Sequence, residues 1–209
     1  YWPFDEGSGN IAKDYSGNNN NGTLLDASST NADGNTPPQW VDGKVGKALS
    51  FDGVDDYVEI PSKPQLTGNP LTLIAWAKAF SFDSYDHVIA KGGNDGLGWD
   101  YDIYRHPEGV TGFRFANSAE GYFDSITSPT INTWYFLAGV FGNDRKLYVN
   151  GLLERSGGNP SVPTSTRPIR IGDDSRNGFN FWNGLIDEVR VYNRALSDQE
   201  IKALYEATK

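Results

Sequence analysis

From Lys47 to Tyr192 the chain is written in short stretches of alternating apolar and polar residues, and no stretch between them carries a helical period. A period of two sends successive side chains to opposite faces of a strand, so the chain has to bury one face of many strands. Leu71, Leu73, Ala75 and Ala77 alternate with Thr72, Ile74, Trp76 and Lys78. Trp99, Tyr101 and Ile103 alternate with Asp100, Asp102 and Tyr104, and Phe113 and Phe115 with Arg114 and Ala116. Strands are expected at 47–51, 56–60, 71–80, 87–91, 99–105, 110–117, 122–127, 133–141, 146–149, 167–171 and 185–192. Asp52-Gly53 reads as a hairpin-like turn and Asn150-Gly151 as a type I′ turn. The 24 Gly and 11 Pro among 209 residues supply the turns between them. Residues 1–4 read as a short strand, Asn18 to Asn21 before Gly22 as an exposed turn, and 28–38 as a loop. Only the end is helical: Ser197 caps, Glu200 completes a capping box, and Ile201, Leu204 and Tyr205 share a face. The expected fold is an all-β, antiparallel two-sheet sandwich with one short C-terminal helix. No repeat, charge run or Gly/Ser linker divides it, so residues 1–209 read as one domain.

Charge narrows the partners. With 18 Lys and Arg against 27 Asp and Glu, the net charge is −9, which disfavours a phosphate backbone as partner. No run approaches the roughly 18 apolar residues that cross a bilayer. The absence of cysteine rules out a disulfide framework and a thiolate metal site. A chain that opens at Tyr1 without Met or a leader reads as part of a longer precursor.

Several segments resemble the laminin-G-like jelly-roll domain of the concanavalin A-like lectin/glucanase superfamily, in its bacterial carbohydrate-binding-module form. They are Phe4-Asp-Glu-Gly-Ser-Gly9, Asp14-Tyr-Ser-Gly17, Gly46-Lys-Ala-Leu-Ser-Phe-Asp-Gly53, Asp56-Tyr-Val58, Thr133-Trp-Tyr-Phe-Leu-Ala138, Leu147-Tyr-Val-Asn-Gly151 and Gly184 to Ser197. The last is the most specific, and together they span almost the whole chain. The resemblance implies two antiparallel sheets, one concave, a calcium site in many members, and binding of carbohydrate or protein more often than chemistry.

Cleavage of a glycosidic bond needs two carboxylates flanking it, about 5–9 Å apart. Asp100 and Asp102 lie about 7 Å apart on one strand face, but Tyr104 and Arg105 stand where the hydrolases of the superfamily place a third acid. His106 beside Tyr104 lacks the motifs of jelly-roll lyases, and neither His87 nor His106 has a nucleophile elbow nearby. No catalytic residue is expected.

Asp187 interrupts an otherwise apolar strand and needs a reason. Pairing of the chain's two ends would bring it near Asp5, Asp14 and Asp52, a set of hard oxygen donors suited to a structural calcium ion. The alternative is that Asp5, Asp14 and Asp52 cap turns through Asx hydrogen bonds. Trp76, Trp134, Tyr148, Tyr192 and Trp182 are assigned to packing. The ligand face is placed on Trp99, Asp100, Asp102, Tyr104 and Arg105, with Arg114 and Tyr122 beside them and Arg176 on a rim loop. Its rival is the face of Trp99, Tyr101 and Ile103, and an ordinary solvated surface is the third reading.

These features favour a non-catalytic carbohydrate-binding module of a secreted polysaccharide-degrading enzyme, linked to a catalytic domain and binding neither nucleic acid nor membrane. A protein–protein adhesion or spacer domain of a cell-surface protein is the alternative. A glycoside hydrolase or polysaccharide lyase is the third.

Overall fold

The computed structural model describes residues 1–27, 36–82, 85–93, 98–105, 112–117, 121–158, 162, 164–174 and 180–209. Among the described residues fifteen strands, one 3-10 turn at Pro64–Leu66 and one α-helix follow in chain order: β1 Ile11–Ala12, β2 Gly22–Asp26, β3 Gln39–Asp42, β4 Lys47–Asp52, β5 Asp56–Ile60, β6 Leu71–Ala79, β7 Asp86–Gly93, β8 Gly98–Arg105, β9 Phe113–Asn117, β10 Gly121–Asp124, β11 Tyr135–Phe141, β12 Arg145–Val149, β13 Leu152–Gly157, β14 Ile169–Ile171, β15 Asn183–Tyr192 and α1 Asp198–Thr208. They form two antiparallel sheets, an eight-stranded one in the order β1-β2-β5-β14-β7-β8-β9-β10 and a seven-stranded one in the order β13-β12-β11-β6-β15-β4-β3.

The alternation places the core. Tyr101, Ile103, Phe113 and Phe115 of one sheet meet Leu71, Leu73, Leu137 and Phe141 of the other in a continuous apolar layer. At its crowded centre a Cβ on Gly139 would stand 2.4 Å from the Phe115 ring, so only glycine lets the sheets close there. The capping box at Ser197 forms as the sequence predicts, and Asn150 and Gly151 both take positive φ, 50° and 75°.

Two departures matter for function. The Asp52-Gly53 turn does not close a hairpin: β4 belongs to the seven-stranded sheet and β5 to the eight-stranded one, so this turn carries the chain across the sandwich. And β6 is buried on both faces, because α1 lays Ile201 against Ile74, Trp76 and Phe136, with Leu204 and Tyr205 packed alongside. The helix therefore covers an outer face of the seven-stranded sheet.

Strand β15 leaves β4 at a bulge between Asp187 and Arg190, with Glu188 at φ 54°. Within it, Trp2 pairs with Val189, bringing the N-terminal segment to the closing strand as expected. Gly184, where β15 starts, has φ 149°, and a Cβ there would lie 2.1 Å from the Lys78 carbonyl oxygen. Gly184→Ala is expected to cost about 2 kcal/mol or more, read as a lowered midpoint in urea denaturation. An unchanged midpoint would show that β15 and β6 yield freely.

Candidate carbohydrate-binding face

Register decides which side chains share the outer face of the eight-stranded sheet. One row of direct cross-strand neighbours runs Thr23, Glu59, Arg170, Ala90, Asp102, Ala116, Tyr122. In the next row His87 faces Tyr104, Tyr104 faces Arg114, and Arg114 faces Asp124. Asp102, Tyr104, Arg114 and Tyr122 are thus brought to one face. Tyr101 and Ile103 point into the core, so their side is not available to a ligand.

The face is locked by charge. The Arg114 guanidinium makes a fork to Asp124, Nε to Oδ1 at 2.6 Å and Nη2 to Oδ2 at 3.1 Å, and donates to the Tyr104 hydroxyl at 3.4 Å. It also lies 3.6 Å from the centre of the Tyr122 ring, a cation–π contact that fixes an aromatic plane 55% exposed to solvent. Burial would lower the Arg114 pKa, but Asp124 and Tyr104 outweigh it and hold the group charged.

Beside these residues lies a buried polar cluster. Asp102 Oδ1 is 2.9 Å from His87 Nδ1, and His87 Nε2 is 3.3 Å from Asp174 Oδ2. Both ring nitrogens face carboxylate oxygens, so holding both contacts as hydrogen bonds takes an imidazolium or a protonated carboxyl. The His87 ring stacks on Tyr104, with centres 4.8 Å apart. Asp100 pairs with Lys91 at 3.0 Å and accepts from Ser165 N and Oγ, each at 3.0 Å. The expectation that Asp100 and Asp102 offer their oxygens to a ligand is revised accordingly. Both are buried and engaged by Lys91 and His87 of β7, so their oxygens are held within the protein. Arg105 is also reassigned: it shares the side of Tyr101 and Ile103, with its guanidinium 5.0 Å from the centre of the Phe82 ring. The Trp99 side chain, His106, Arg176 and Asn177 lie outside the described residues.

The four acids expected around calcium do not form one cluster. Asp187 Oδ2 accepts from Lys44 N and Val45 N, both at 2.9 Å, and Asp5 Oδ1 accepts from Lys47 N at 2.8 Å. These two hold the Gly43–Lys47 turn from either side. Burial pushes the Asp187 carboxyl up to about 7, against the opposing N–H groups of Val45 and Lys44. Asp14 serves the opposite end of the chain, accepting from the Tyr1 amino group at 3.0 Å, Ser16 N at 2.8 Å and Asn20 N at 2.9 Å. Asp52 stands apart from all three, beside Asp55 and Asp56, with ligand oxygens of the three residues within 4.8 Å of one another. The sequence offered no reading of Asp55 and Asp56 as donors. Their place at a turn between two sheets is what gathers them.

The family model described as Laminin_G_3, concanavalin A-like lectin/glucanases superfamily, matches residues 52–202. No curated protein matches the sequence. Among solved structures, domain 4 of AbnA, a GH43 extracellular arabinanase from Geobacillus stearothermophilus, in complex with arabinotriose, superposes with a TM-score of 0.77 at 24% identity. It covers 98% of this chain and 96% of that one. Trypanosoma rangeli sialidase with the inhibitor DANA gives 0.68 at 16% identity, over 96% of this chain and 31% of the sialidase. The binding domain of Paraclostridial Mosquitocidal Protein 1 gives 0.67 at 18%, over 96% of this chain and 50% of that one. At these identities the likeness is one of fold. The family match covers most of the length, and the chain belongs to the laminin-G-like domains of the concanavalin A-like lectin/glucanases superfamily.

Proposed function

We propose that this domain is a carbohydrate-binding module that holds a neutral glycan on the β8–β10 side of the eight-stranded sheet without cleaving it. The observation that carries this is the Tyr122 plane, exposed and clamped by Arg114, with Tyr104 beside it. Sugars stack their C–H faces on such rings, and the phenol of Tyr104 can meet hydroxyls. Preorganisation by the Asp124 fork spares a ligand the cost of ordering the side chains. Asp100 and Asp102 are engaged by Lys91 and His87 and do not face each other across an open groove, which argues for binding over hydrolysis. The arabinotriose complex of the AbnA domain supports a sugar ligand. The parent is read as a secreted polysaccharide-degrading enzyme with its catalytic domain linked to this one. The acidic balance argues against nucleic acid.

Titration with arabinotriose and a glycan array tests the face. Tyr122→Ala is expected to weaken binding about tenfold, which is about 1.4 kcal/mol, with no sugar released as product. A folded Tyr122→Ala that binds as well as the parent removes this face from consideration.

The calcium expectation rests best on Asp52, Asp55 and Asp56. Three hard carboxylates stand within reach of one another, and Asp52 Oδ2 is buried without a hydrogen-bond partner. An ion there would offset repulsion at the turn that crosses between the sheets. Calcium is expected to raise Tm by several degrees, and Asp55→Asn combined with Asp56→Asn to abolish the rise. A melting curve that neither chelator nor calcium moves would overturn the assignment.

A further inference from the structure

A cleft of about 350 Å³ opens at the far edge of the eight-stranded sheet, between the turn joining β1 to β2, the helical turn at 64–66 and the end of β15. Tyr1, Tyr15, Asn18, Gln65, Arg190 and Tyr192 line it. We infer that this cleft is a second, independent sugar site, taking a single ring of a neutral glycan.

Its chemistry is that of sugar recognition. Tyr15 stands 57% exposed at the rim, and Tyr1 and Tyr192 supply further aromatic surface. Gln65 spends one amide hydrogen on Asn20 Oδ1 at 3.3 Å, and Asn18 spends one on Ser16 Oγ at 2.9 Å. The remaining capacity of each amide suits vicinal hydroxyls, which donate and accept together. Charge at the site is balanced. Arg190 stacks over the Tyr1 ring with 4.3 Å to its centre and is paired with Glu188, so the cleft favours a neutral ligand over an anion.

The walls are built in advance. Asp14 gathers the N–H groups of Ser16 and Asn20 inside the turn, and Asn19 is held at φ 55°. Trp2 Nε1 anchors the same turn by donating to the Asn20 carbonyl at 2.8 Å. The Tyr1 hydroxyl donates to Glu188 at 2.5 Å, and Arg190 donates to the same carboxylate. A rim fixed in this way loses little entropy on binding. The volume lies at the low end of the roughly 300–1,000 Å³ usual for small-ligand sites, which suits a single sugar ring.

Position makes the cleft distinct. The turn it uses precedes β2, at one edge of the sheet, whereas Tyr122 is on β10 at the other. Seven strand spacings of about 4.8 Å separate them by roughly 34 Å. The inference does not rest on the Tyr122 face.

The test is a chemical-shift titration of the folded domain with L-arabinose, D-xylose, D-galactose and D-glucose, each alone. At least one is expected to give saturable shifts at the amides of Tyr15, Asn18 and Gln65. Tyr15→Ala and Gln65→Ala should each weaken that binding tenfold or more, while Tyr122→Ala leaves it unchanged. Both residues are on the surface, and circular dichroism checks that the variants fold. Absence of shifts at the cleft with all four sugars overturns the inference, as does loss of those shifts in Tyr122→Ala or their persistence at full affinity in both cleft variants.

Discussion

Lys91→Met is expected to remove about 3–5 kcal/mol of folding stability. Lys91 is fully buried and its ammonium is surrounded by oxygens: Asp100 Oδ2 at 3.0 Å, the Ser165 carbonyl at 2.7 Å, Ser165 Oγ at 3.2 Å and the Arg167 carbonyl at 2.9 Å. Methionine preserves most of the stem and deletes the ammonium. Asp100 is then left in a buried site with only Ser165 donating to it, and two backbone carbonyls lose a donor. The penalty is that of buried polar groups left without their partner, larger than the worth of the pair itself. Lys91→Met combined with Asp100→Asn should recover a substantial part of the loss. Denaturation midpoints of the parent, both single variants and the double variant decide the matter. If the double variant falls by the sum of the singles, the two groups are not coupled and the account of the cluster fails.

The second large effect is in pH. Asp187 is held near 7 in the fold by burial, whereas an unfolded carboxyl titrates near 3.9. The folded state therefore keeps a proton that the unfolded state releases. Asp187 contributes stability that is fully present below about pH 3.9 and is lost as pH rises toward 7, about 4 kcal/mol across the window. Asp14 acts in the neighbouring window with the opposite sign. Burial would raise it, but hydrogen bonds from Ser16, Asn20 and the chain's amino end bring it down to about 2, so its contribution is lost as pH falls below about 4. Asp187→Asn keeps an oxygen for the N–H groups of Lys44 and Val45 and carries no charge. It should match the parent near pH 4 and exceed it clearly at pH 8. Stability curves that run parallel from pH 4 to pH 8 would show that Asp187 is not protonated in the fold.

What the sequence revealed follows where the two sides of a strand differ in polarity. Strands β8 and β9 turn aromatic and aliphatic side chains to the core and mostly polar ones to the other side, so their alternation was readable although both sides are buried, and the shared face of Asp102, Tyr104 and Arg114 with it. Strand β13 offers no buried face and β3 only half-buried residues, so neither leaves a periodic trace. The switch of sheets at 52–56 was hidden because a hairpin and a crossing use the same turn residues. The same blindness governed the site. Parity put Asp100 and Asp102 on one side, but the groups that claim them, Lys91 and His87, arrive from β7 by a pairing that no local pattern encodes.

The strand order carries a consequence for how the molecule comes into being. Strand β15 lies between β6 and β4, and residues 183–192 leave a ribosome after both of the strands they join. Until they do, two central edges of the seven-stranded sheet wait unpaired, and Trp2 waits for Val189. Closure of these long loops has to precede any gain from the pairing, so folding is intrinsically slow. A nascent chain stalled before residue 183 would expose the Leu71–Ala79 segment as a sticky edge, making a domain of this design dependent on protection until β15 arrives.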